Sequence, residues 1–592
     1  MAYGGWVVFL GRDFSNSLAR LASLRLAAFS LGGACLGAVL FLLCWTILSL
    51  LRGIGRRLFI GGAVALAGAG VVFMGLAALP FRQTFFGLHQ FSPLPLVLAL
   101  VALQGALLLG IVAWSALQVA RPIAPGRGAG VALAGTGWGL ALTSALVLIA
   151  TGMMPLEAGV SGRPIIIVSF DTMRADRLGA LGYPRPTTPH LDALAAQGAL
   201  FEQAGSTAPW TLPSHASMFT SLLPFDHGST RETRPLRPSL STLAERLKNA
   251  GYRTAAFTGG AYVSAGFGFG QGFEVYDDHD EGKEGGAGKI AQSALAWIRS
   301  VKDKPFFAFV HSYEIHFPYR HQQFVPASVR ATGKTPYDID DLTEIHSGKK
   351  VLSEEDRTFV ADLYDGDVAT ADEVLGGMLS TLRKEGILDR AILVVLSDHG
   401  DDLWNHDDYW SPGHGHSLYE EILHVVLFFR APGLVKEGAR LKTPVSLLDV
   451  LPTLLDLVGI APQPQDQGRS LKATLQEGTE PEAAPMSAEA IEYGPDRFSI
   501  RQGRFKAIMV PKPDETRCGI LLHLKPLEVF DLSADPQEKH DLSAAPPAET
   551  AALIERLWKR VERVQGTGAP GHGGESIPKE LEEQLRSLGY VR

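Results

Sequence analysis

Side chains that can bind a metal ion come directly after two apolar runs of strand length. Asp171 follows residues 163–170, and Asp398 and His399 follow residues 391–397. Carboxylate oxygens and imidazole nitrogens are ligands of Zn²⁺, Mn²⁺ and similar ions. Ligands of parallel sheets bind beyond the carboxyl ends of the strands. The sequence therefore predicts a metal site made of Asp171, Asp398 and His399.

A hydroxyl residue opens the helical pattern of residues 211–220. Pro213 suits a first helical turn, so the hydroxyl of Thr211 would lie at the positive end of the helix dipole. An ordinary N-cap explains this segment when it is read alone. Beside a metal ion, however, Thr211 would be both a ligand and an activated nucleophile. We predict these two roles for Thr211, with one divalent ion (Zn²⁺, Mn²⁺ or Ca²⁺).

Two pairs of histidines lie in segments rich in aromatic and glycine residues. They are His311 with His316, and His414 with His416. Neither pair has the spacing of two metal ligands on one helix. Imidazole titrates near neutral pH, which suits hydrogen bonding to an oxyanion and protonation of a leaving oxygen. We assign His311 and His414 to substrate binding, and His316 and His416 to catalysis.

The elements that must position these residues alternate between strand and helix. Apolar strands are predicted at residues 163–170, 254–258, 305–311, 391–397 and 424–430, and helices at 189–197, 240–249 and 354–385. This alternation predicts an α/β fold whose mostly parallel sheet carries helices on both faces. A smaller unit follows, with a hairpin at Gln502-Gly503 and a strand at residues 528–532.

The first quarter of the chain differs in composition from the rest. It contains four uncharged runs at residues 26–51, 58–80, 93–120 and 128–154. A spanning helix needs about 20 apolar residues, so the pattern predicts an all-α bundle of four transmembrane helices. Arginines after the first and third runs predict that these loops are cytoplasmic, although the basic N-terminal tail opposes this orientation. The expected protein is a multi-pass integral membrane protein with an extracytoplasmic catalytic domain.

Length and charge limit the remaining function classes. At 592 residues the chain is too long for one compact core, and its net charge of −8 gives no basic field for nucleic acid. The predicted organisation is an N-terminal tail 1–25, an anchor 26–154, a linker 155–163, a catalytic domain 164–475, a small subdomain 486–545 and a tail 546–592.

Several segments resemble, in order, those of the sulfatase family of the alkaline phosphatase superfamily. Residues 167–176 resemble the first metal strand, residues 211–221 the nucleophile helix and residues 316–319 the histidine loop. Later matches lie at residues 397–400, 418–421, 448–453 and 530–536. The resemblance implies an alkaline phosphatase-like fold and an ester hydrolase.

Two positions depart from this family pattern. Sulfatases carry Cys or Ser, then Pro and Arg at intervals of two, and the first residue becomes formylglycine. Here these positions are Thr211, Pro213 and His215, and Thr172 replaces a tandem metal Asp. Threonine cannot form that aldehyde, so no formylglycine is expected, and His215 joins the predicted catalytic residues.

The threonine segment is similar instead to enzymes that act on phosphodiesters. It resembles nucleotide pyrophosphatase-type phosphodiesterases, and the Asp, Thr, Asp, His set resembles that of lipoteichoic acid synthases and phosphoethanolamine transferases. Two-metal members need a further Asp and two histidines, and Asp365 lacks a histidine one turn later. This favours one metal.

We therefore expect a hydrolase that cleaves a sulfate or phosphate ester through Thr211, facing the cell envelope. The expected partners are membrane lipids and a sulfated or phosphorylated envelope glycan or lipid, without nucleic acid. A headgroup transferase of the phosphoethanolamine type is one alternative. A non-catalytic pseudoenzyme that binds an anionic glycan or lipid is the other.

Overall fold

The structure, a computed structural model, describes residues 162–278, 286–406, 411–512 and 524–566. The strands are β1 (Ile165–Phe170), β2 (Ala199–Phe201), β3 (Ala204–Gly205), β4 (Arg253–Phe257), β5 (Val275–Asp277), β6 (Phe306–Ser312), β7 (Ile392–Ser397), β8 (His424–Val425), β9 (Leu427–Arg430), β10 (Ala439–Leu441), β11 (Val445–Ser446), β12 (Met486–Glu489), β13 (Phe498–Gln502), β14 (Phe505–Met509) and β15 (Leu527–Asp531). The helices are α1 (Pro189–Ala195), α2 (Thr211–Thr220), α3 (Pro224–His227), α4 (Leu243–Asn249), α5 (Gly286–Val301), α6 (Ala327–Arg330), α7 (Ile339–His346), α8 (Glu354–Lys384), α9 (Glu420–Leu423), α10 (Val450–Leu457), α11 (Lys472–Glu477) and α12 (Ala551–Gly566).

Eight strands form the main sheet, in the order β10-β2-β9-β7-β1-β6-β4-β5. The five neighbours from β7 to β5 are parallel, and β9 is antiparallel to β7 and β2. The last residue of β1, Phe170, lies opposite Ser312 of β6 and Ser397 of β7. The residues that follow β1 and β7 therefore meet at one edge, and the predicted mostly parallel α/β sheet is confirmed.

The helices cover both faces of this sheet. Ile165 and Ile167 point to the core that contains α2, α4 and α10, whereas Ile166 and Val168 point to the core that contains α1, α5 and α8. A strand buried on both faces needs a continuous apolar sequence, which explains the uninterrupted run in β1. This packing places the carboxyl ends of the strands next to the start of α2.

The predicted strand at residues 424–430 is two strands in the structure. β8 pairs with β3 in a three-stranded sheet, and β9 pairs with β7 in the main sheet. Between them, the Val426 N–H donates to the hydroxyl of Ser397 at 3.0 Å. The Ser397 hydroxyl thus takes the place of a backbone carbonyl as the partner of the Val426 N–H, and the strand is interrupted at this residue.

A four-stranded antiparallel sheet, β12-β13-β14-β15, forms the smaller unit. The predicted hairpin is present, with Gly503 in the left-handed region at φ 59°. Helix α12 packs Leu553 and Leu557 against Phe498 and Ile500 of β13. The region predicted as a C-terminal tail from residue 546 therefore includes a helix that packs on this sheet.

The predicted localisation is corrected by the helices that the structure contains. Among the described residues, none of the helices is long and apolar enough to cross a bilayer. This finding contradicts the prediction of a multi-pass integral membrane protein. The four predicted spans, at residues 26–51, 58–80, 93–120 and 128–154, lie outside the described residues.

A buried ion pair ties α4 to the loop after α10. Arg246 donates to both carboxylate oxygens of Asp466 at 2.8 and 2.7 Å, and both side chains are buried. We expect Arg246→Met to lower the free energy of unfolding by about 3–5 kcal/mol, because it leaves the Asp466 charge unpaired. Urea unfolding measures this change. The double variant with Asp466→Leu should recover most of the loss, and equal losses in both variants would contradict the explanation.

Candidate active site

Two strand ends and one sharp turn bring the predicted metal ligands together. Asp171 follows β1, and its N–H donates to the Ser312 carbonyl at 3.1 Å. The next residue, Thr172, has φ 55°, and its N–H donates to Asp398 Oδ1 at 3.3 Å. The Thr172 hydroxyl donates to the Ile315 carbonyl at 3.1 Å. Thr172 therefore connects the ends of β1 and β7 to the loop that follows β6.

Thr211 is the first residue of α2, and its hydroxyl points to these ligands. It donates to Asp171 Oδ2 at 3.1 Å and lies 3.3 Å from His399 Nε2. The N-cap position is occupied by Trp210, whose side chain makes no cap hydrogen bond within the described part of the chain. Helix α2 is buried along its whole length. The hydroxyl of Thr211 thus bonds to the site, while Trp210 occupies the N-cap position.

The buried oxygens of the site fit a bound cation. Asp171 Oδ1 and Asp398 Oδ2 are buried and have no hydrogen-bond partner among the described residues. The ligand atoms of Asp171, Asp398 and His399 all lie within 4.8 Å of one another. Burial raises the pKa of the Asp171 carboxyl group above its usual range, although His316, His414 and His215 oppose this effect. Burial, and then the neighbouring charge of Asp171, raise the pKa of the Asp398 carboxyl group well above its usual range. A divalent ion at this place would supply positive charge to both carboxylates.

His399 presents the correct nitrogen for a metal ligand. Its Nδ1–H donates to the Gly400 carbonyl at 2.9 Å, which leaves the lone pair on Nε2. This Nε2 lies 3.4 Å from Asp398 Oδ2. A hydrogen bond from the other ring nitrogen is the usual way in which proteins orient a metal-binding histidine.

His215 lies beneath Thr211, with both ring nitrogens bonded. Its Nδ1–H donates to the Thr211 carbonyl at 3.0 Å, and its Nε2 accepts from the Ser169 hydroxyl at 3.0 Å. Burial lowers the pKa of His215 to about 3, and the nearby His311 acts in the same direction. The ring is therefore neutral, and it connects the first turn of α2 to β1.

His215 also belongs to a second group of ligand-type side chains, with His311 and Asp398. Neither ring nitrogen of His311 has a hydrogen-bond partner among the described residues, and its Nε2 lies 3.4 Å from Asp171 Oδ2. Burial lowers the pKa of His311 to about 3. His311 is thus a neutral imidazole directed at the same carboxylates as the predicted metal site.

His414 and His316 stand beside this group, whereas His416 has a different neighbour. The ring centroid of His414 lies 4.5 Å from that of His399 and 5.1 Å from that of His316. Burial opposes the charged form of His414, but its Nδ1–H donates to Asp401 at 3.1 Å and raises its pKa. His416 Nε2 lies 3.7 Å from Asp402 Oδ2. The structure thus joins His414 and His316 to the metal ligands.

Several residues of the site were missed in the sequence. Asp401 and Asp402 directly follow Gly400, so the strand-end argument that found Asp398 also covers them. Tyr319 donates to Asp401, which orients His414. Asp365, considered above for a second metal, is instead bonded to Arg177 and Arg185.

Comparison with protein families decides the classification of the chain. Residues 163–460, half of the chain, match the family described as Sulfatase. The chain belongs to the sulfatase family. Residues 415–567 of this sulfatase-family protein also match the family described as N-sulphoglucosamine sulphohydrolase, C-terminal. The chain is accordingly an ester hydrolase, as predicted.

Two individual relatives of this sulfatase-family protein support the same classification. It is 26% identical over 417 residues to an ulvan-active sulfatase of Formosa agariphila, covering 65% of this chain and 78% of the relative. It is 27% identical over 463 residues to a choline-sulfatase of Rhizobium meliloti, covering 66% and 85%.

Solved structures show the same fold. One is a protein in complex with its substrate D-glucosamine-2-N,6-O-disulfate, with a TM-score of 0.54, 21% identity and coverage of 69% of this chain and 100% of that one. Another is a phosphonate monoester hydrolase of Agrobacterium radiobacter, with a TM-score of 0.53, 19% identity and coverage of 68% and 96%. The predicted alkaline phosphatase-like fold of the catalytic part is confirmed.

Proposed function

We propose that this sulfatase-family hydrolase cleaves a phosphate, phosphonate or sulfate ester by direct attack of Thr211 Oγ1. One observation carries the proposal: the hydroxyl of Thr211 donates to Asp171 and lies 3.3 Å from His399. Beside it, two carboxylates each have a buried oxygen without a hydrogen-bond partner among the described residues. An unmodified threonine can form a covalent ester with phosphorus, so the mechanism needs no formylglycine.

The residues that would hold a single divalent ion are Asp171, Asp398 and His399, with Thr211 as the fourth ligand. When bound, the ion neutralises the oxygens of the substrate and favours the alkoxide form of Thr211. These four residues supply three oxygens and one nitrogen, a donor set that suits Zn²⁺ or Mn²⁺ and also admits Ca²⁺.

The chain's own residues account for the movement of the proton and the binding of the oxyanion. Thr211 gives its proton to Asp171 Oδ2, the partner of its hydrogen bond, as the bond from its oxygen to phosphorus or sulfur forms. The bond from phosphorus or sulfur to the leaving oxygen breaks, and its electron pair stays on that oxygen. His414 stands next to His399 and is oriented by Asp401, so it can donate to a non-bridging oxygen. His215 fixes Thr211 by its bond to the Thr211 carbonyl.

The relatives suggest two classes of substrate. A sulfated glycan is the first, since one relative is an ulvan-active sulfatase and one solved neighbour contains a glucosamine disulfate. A phosphonate or phosphate ester is the second, since another neighbour is a phosphonate monoester hydrolase. Direct attack by threonine favours the second class, because the aldehyde-dependent release of sulfate is unavailable to it.

We propose residues 164–475 as the catalytic domain and 486–545 as the core of the small subdomain.

The test is a paired assay of the purified full chain. The probes are 4-nitrophenyl sulfate, bis(4-nitrophenyl) phosphate and 4-nitrophenyl phenylphosphonate, each with added Mn²⁺ or Zn²⁺ and with a chelator. We expect metal-dependent cleavage of a phosphorus ester and, after acid quenching, a phosphorylated peptide that contains residue 211. An aldehyde hydrate on this peptide, or sulfate cleavage without phosphorus ester cleavage, would refute the proposal. No turnover and no bound metal would favour the pseudoenzyme.

A further inference from the structure

A loop from the smaller unit is anchored beside the nucleophile. Glu492 follows β12, and its N–H donates to the Gly415 carbonyl at 2.8 Å. The Gly415 N–H in turn donates to the Pro209 carbonyl at 2.9 Å, two residues before Thr211. The indole N–H of Trp210 donates to the Ala490 carbonyl at 2.6 Å. The backbone of Glu492 is therefore fixed relative to Thr211 by two independent connections.

The side chains of Tyr262 and Tyr493 both bond to the carboxyl group of Glu492. Its Oε1 accepts from the hydroxyl of Tyr262 at 2.9 Å. Its Oε2 is buried and has no hydrogen-bond partner among the described residues. A Cβ added at Gly415, where φ is +79°, would lie 3.0 Å from this Oε2. Oε2 thus lies over the glycine between His414 and His416, where a larger residue would crowd it.

The charged and titratable groups that face Glu492 are His414, Tyr262, Tyr493 and Glu232. Burial raises the pKa of Glu492 to about 7, and Glu232 acts in the same direction, against the opposing effects of His414, Tyr262 and Tyr493. A carboxyl group in this environment holds its proton near neutral pH. Oε2, which has no hydrogen-bond partner among the described residues, can carry that proton.

We propose that Glu492 is the general acid that protonates the leaving oxygen of the substrate. This inference rests on the proposed function of Thr211. As the bond from Thr211 Oγ1 to phosphorus or sulfur forms, the bond to the leaving oxygen breaks. Its electron pair stays on that oxygen, which takes the proton from Glu492 Oε2. Glu492 is left as a carboxylate, and water restores its proton in the next half-reaction.

The histidines predicted as acids are less suited to this step. The Nδ1–H of His316 is used in a 2.7 Å bond to the Phe317 carbonyl, so the neutral ring has only a lone pair on Nε2. His416 has Asp402 as its charged neighbour. Glu492, in contrast, reaches the site from the smaller unit, next to His414.

Leaving-group dependence tests the assignment. We expect Glu492→Gln in the full chain to lower kcat/KM for a phenyl ester by about 100-fold or more, because the phenolate leaves poorly without a proton. The loss for the matching 4-nitrophenyl ester should be within about threefold, because 4-nitrophenolate needs no acid. Equal losses for the two esters, or no loss for the phenyl ester, would overturn the proposal.

The matched control is Glu528→Gln. Glu528 also accepts a hydrogen bond from a tyrosine hydroxyl, that of Tyr419 at 3.0 Å, but it lies on β15. This variant should keep the wild-type ratio of phenyl to 4-nitrophenyl turnover. The control therefore separates the loss of a general acid from the loss of any carboxyl group bonded to a tyrosine.

The pH profile gives a second readout. Since the protonated form of Glu492 is active, wild-type turnover of the phenyl ester should fall as pH rises through about 7, and this limb should be absent in Glu492→Gln. Failure of the proposed function can be told apart from failure of the Glu492 assignment. If Thr211 is not the nucleophile, the labelling of residue 211 changes, whereas the ratio of phenyl to 4-nitrophenyl turnover does not. If no probe is turned over, infrared difference spectra still decide. Wild type should show a protonated carboxyl band that disappears above neutral pH, and this band must be missing in Glu492→Gln.

Discussion

Replacement of Thr211 by alanine is expected to reduce kcat for the phosphorus ester by about 10,000-fold or more, while Thr211→Ser stays within about tenfold of wild type. Alanine removes the atom that attacks, whereas serine keeps a hydroxyl at the start of α2 within reach of Asp171 and His399. Initial rates on bis(4-nitrophenyl) phosphate, measured with excess Mn²⁺, check both values. The phosphorylated peptide should be present in Thr211→Ser and missing in Thr211→Ala.

Two further measurements make the result specific to the nucleophile. The fold of Thr211→Ala should be unchanged in circular dichroism, since α2 is buried along its whole length and Trp210, not residue 211, occupies its N-cap position. Its metal content should fall only in part, because Asp171, Asp398 and His399 remain. Cleavage of any probe at the wild-type rate by Thr211→Ala would show that another group attacks.

The metal-binding part of the site was predictable because of where it lies in the chain. Asp171, Asp398 and His399 directly follow apolar strands, and parallel strands end at one edge of a sheet. The order of the strands was not needed for this prediction. Their pairing, β7-β1-β6, then explains why the three residues meet.

The position of Thr211 in its helix was less accessible. The pattern of a hydroxyl residue followed by proline is also that of an N-cap, yet Trp210 occupies the cap and Thr211 begins the helix. The difference depends on the hydrogen bond to Asp171, which lies 40 residues earlier. Local sequence has no signal for such a contact.

Glu492 had no signal in the sequence at all. It lies in a loop after β12, and its place beside Gly415 results from the docking of the smaller sheet. The apolar runs before residue 155 gave a strong local signal, but the resulting localisation was contradicted. Periodicity therefore predicted the elements and the strand-end residues, whereas the contacts between distant segments required the structure.

A second large effect is expected on the stability of the protein when one of the two buried carboxylates, Asp398, is replaced. In metal-free protein, we expect Asp398→Asn to raise the free energy of unfolding at neutral pH by about 1–3 kcal/mol, although it removes a predicted metal ligand. The amide introduced by this substitution would keep an acceptor oxygen for the Thr172 and His399 N–H groups, which bond Asp398 Oδ1 at 3.3 and 2.8 Å. It would also replace the uncompensated Oδ2 by a neutral NH₂ group.

The sign of the pH dependence follows from the direction of the pKa shift. Burial, and then the charge of Asp171, raise the folded-state pKa of Asp398 well above its ordinary value of 3.8. Its protonated form is therefore favoured in the folded state, and stability is lost as pH rises from about 3.8 through the raised pKa. Urea unfolding of the metal-free proteins should show a weaker loss of this kind in Asp398→Asn.

Added metal should reverse the order of stability. At about 100 times its dissociation constant, an ion that binds only the folded state stabilises wild type by about 2.7 kcal/mol. Asp398→Asn should gain little, because it has lost one of the two carboxylates around the ion, and its turnover should fall with its metal content. Asp466→Asn, which alters a buried carboxylate paired with Arg246, is the matched control and should respond to metal as wild type does. If metal stabilised Asp398→Asn as much as wild type, the ion would have to bind elsewhere, and the assignment of Asp171, Asp398 and His399 would fail.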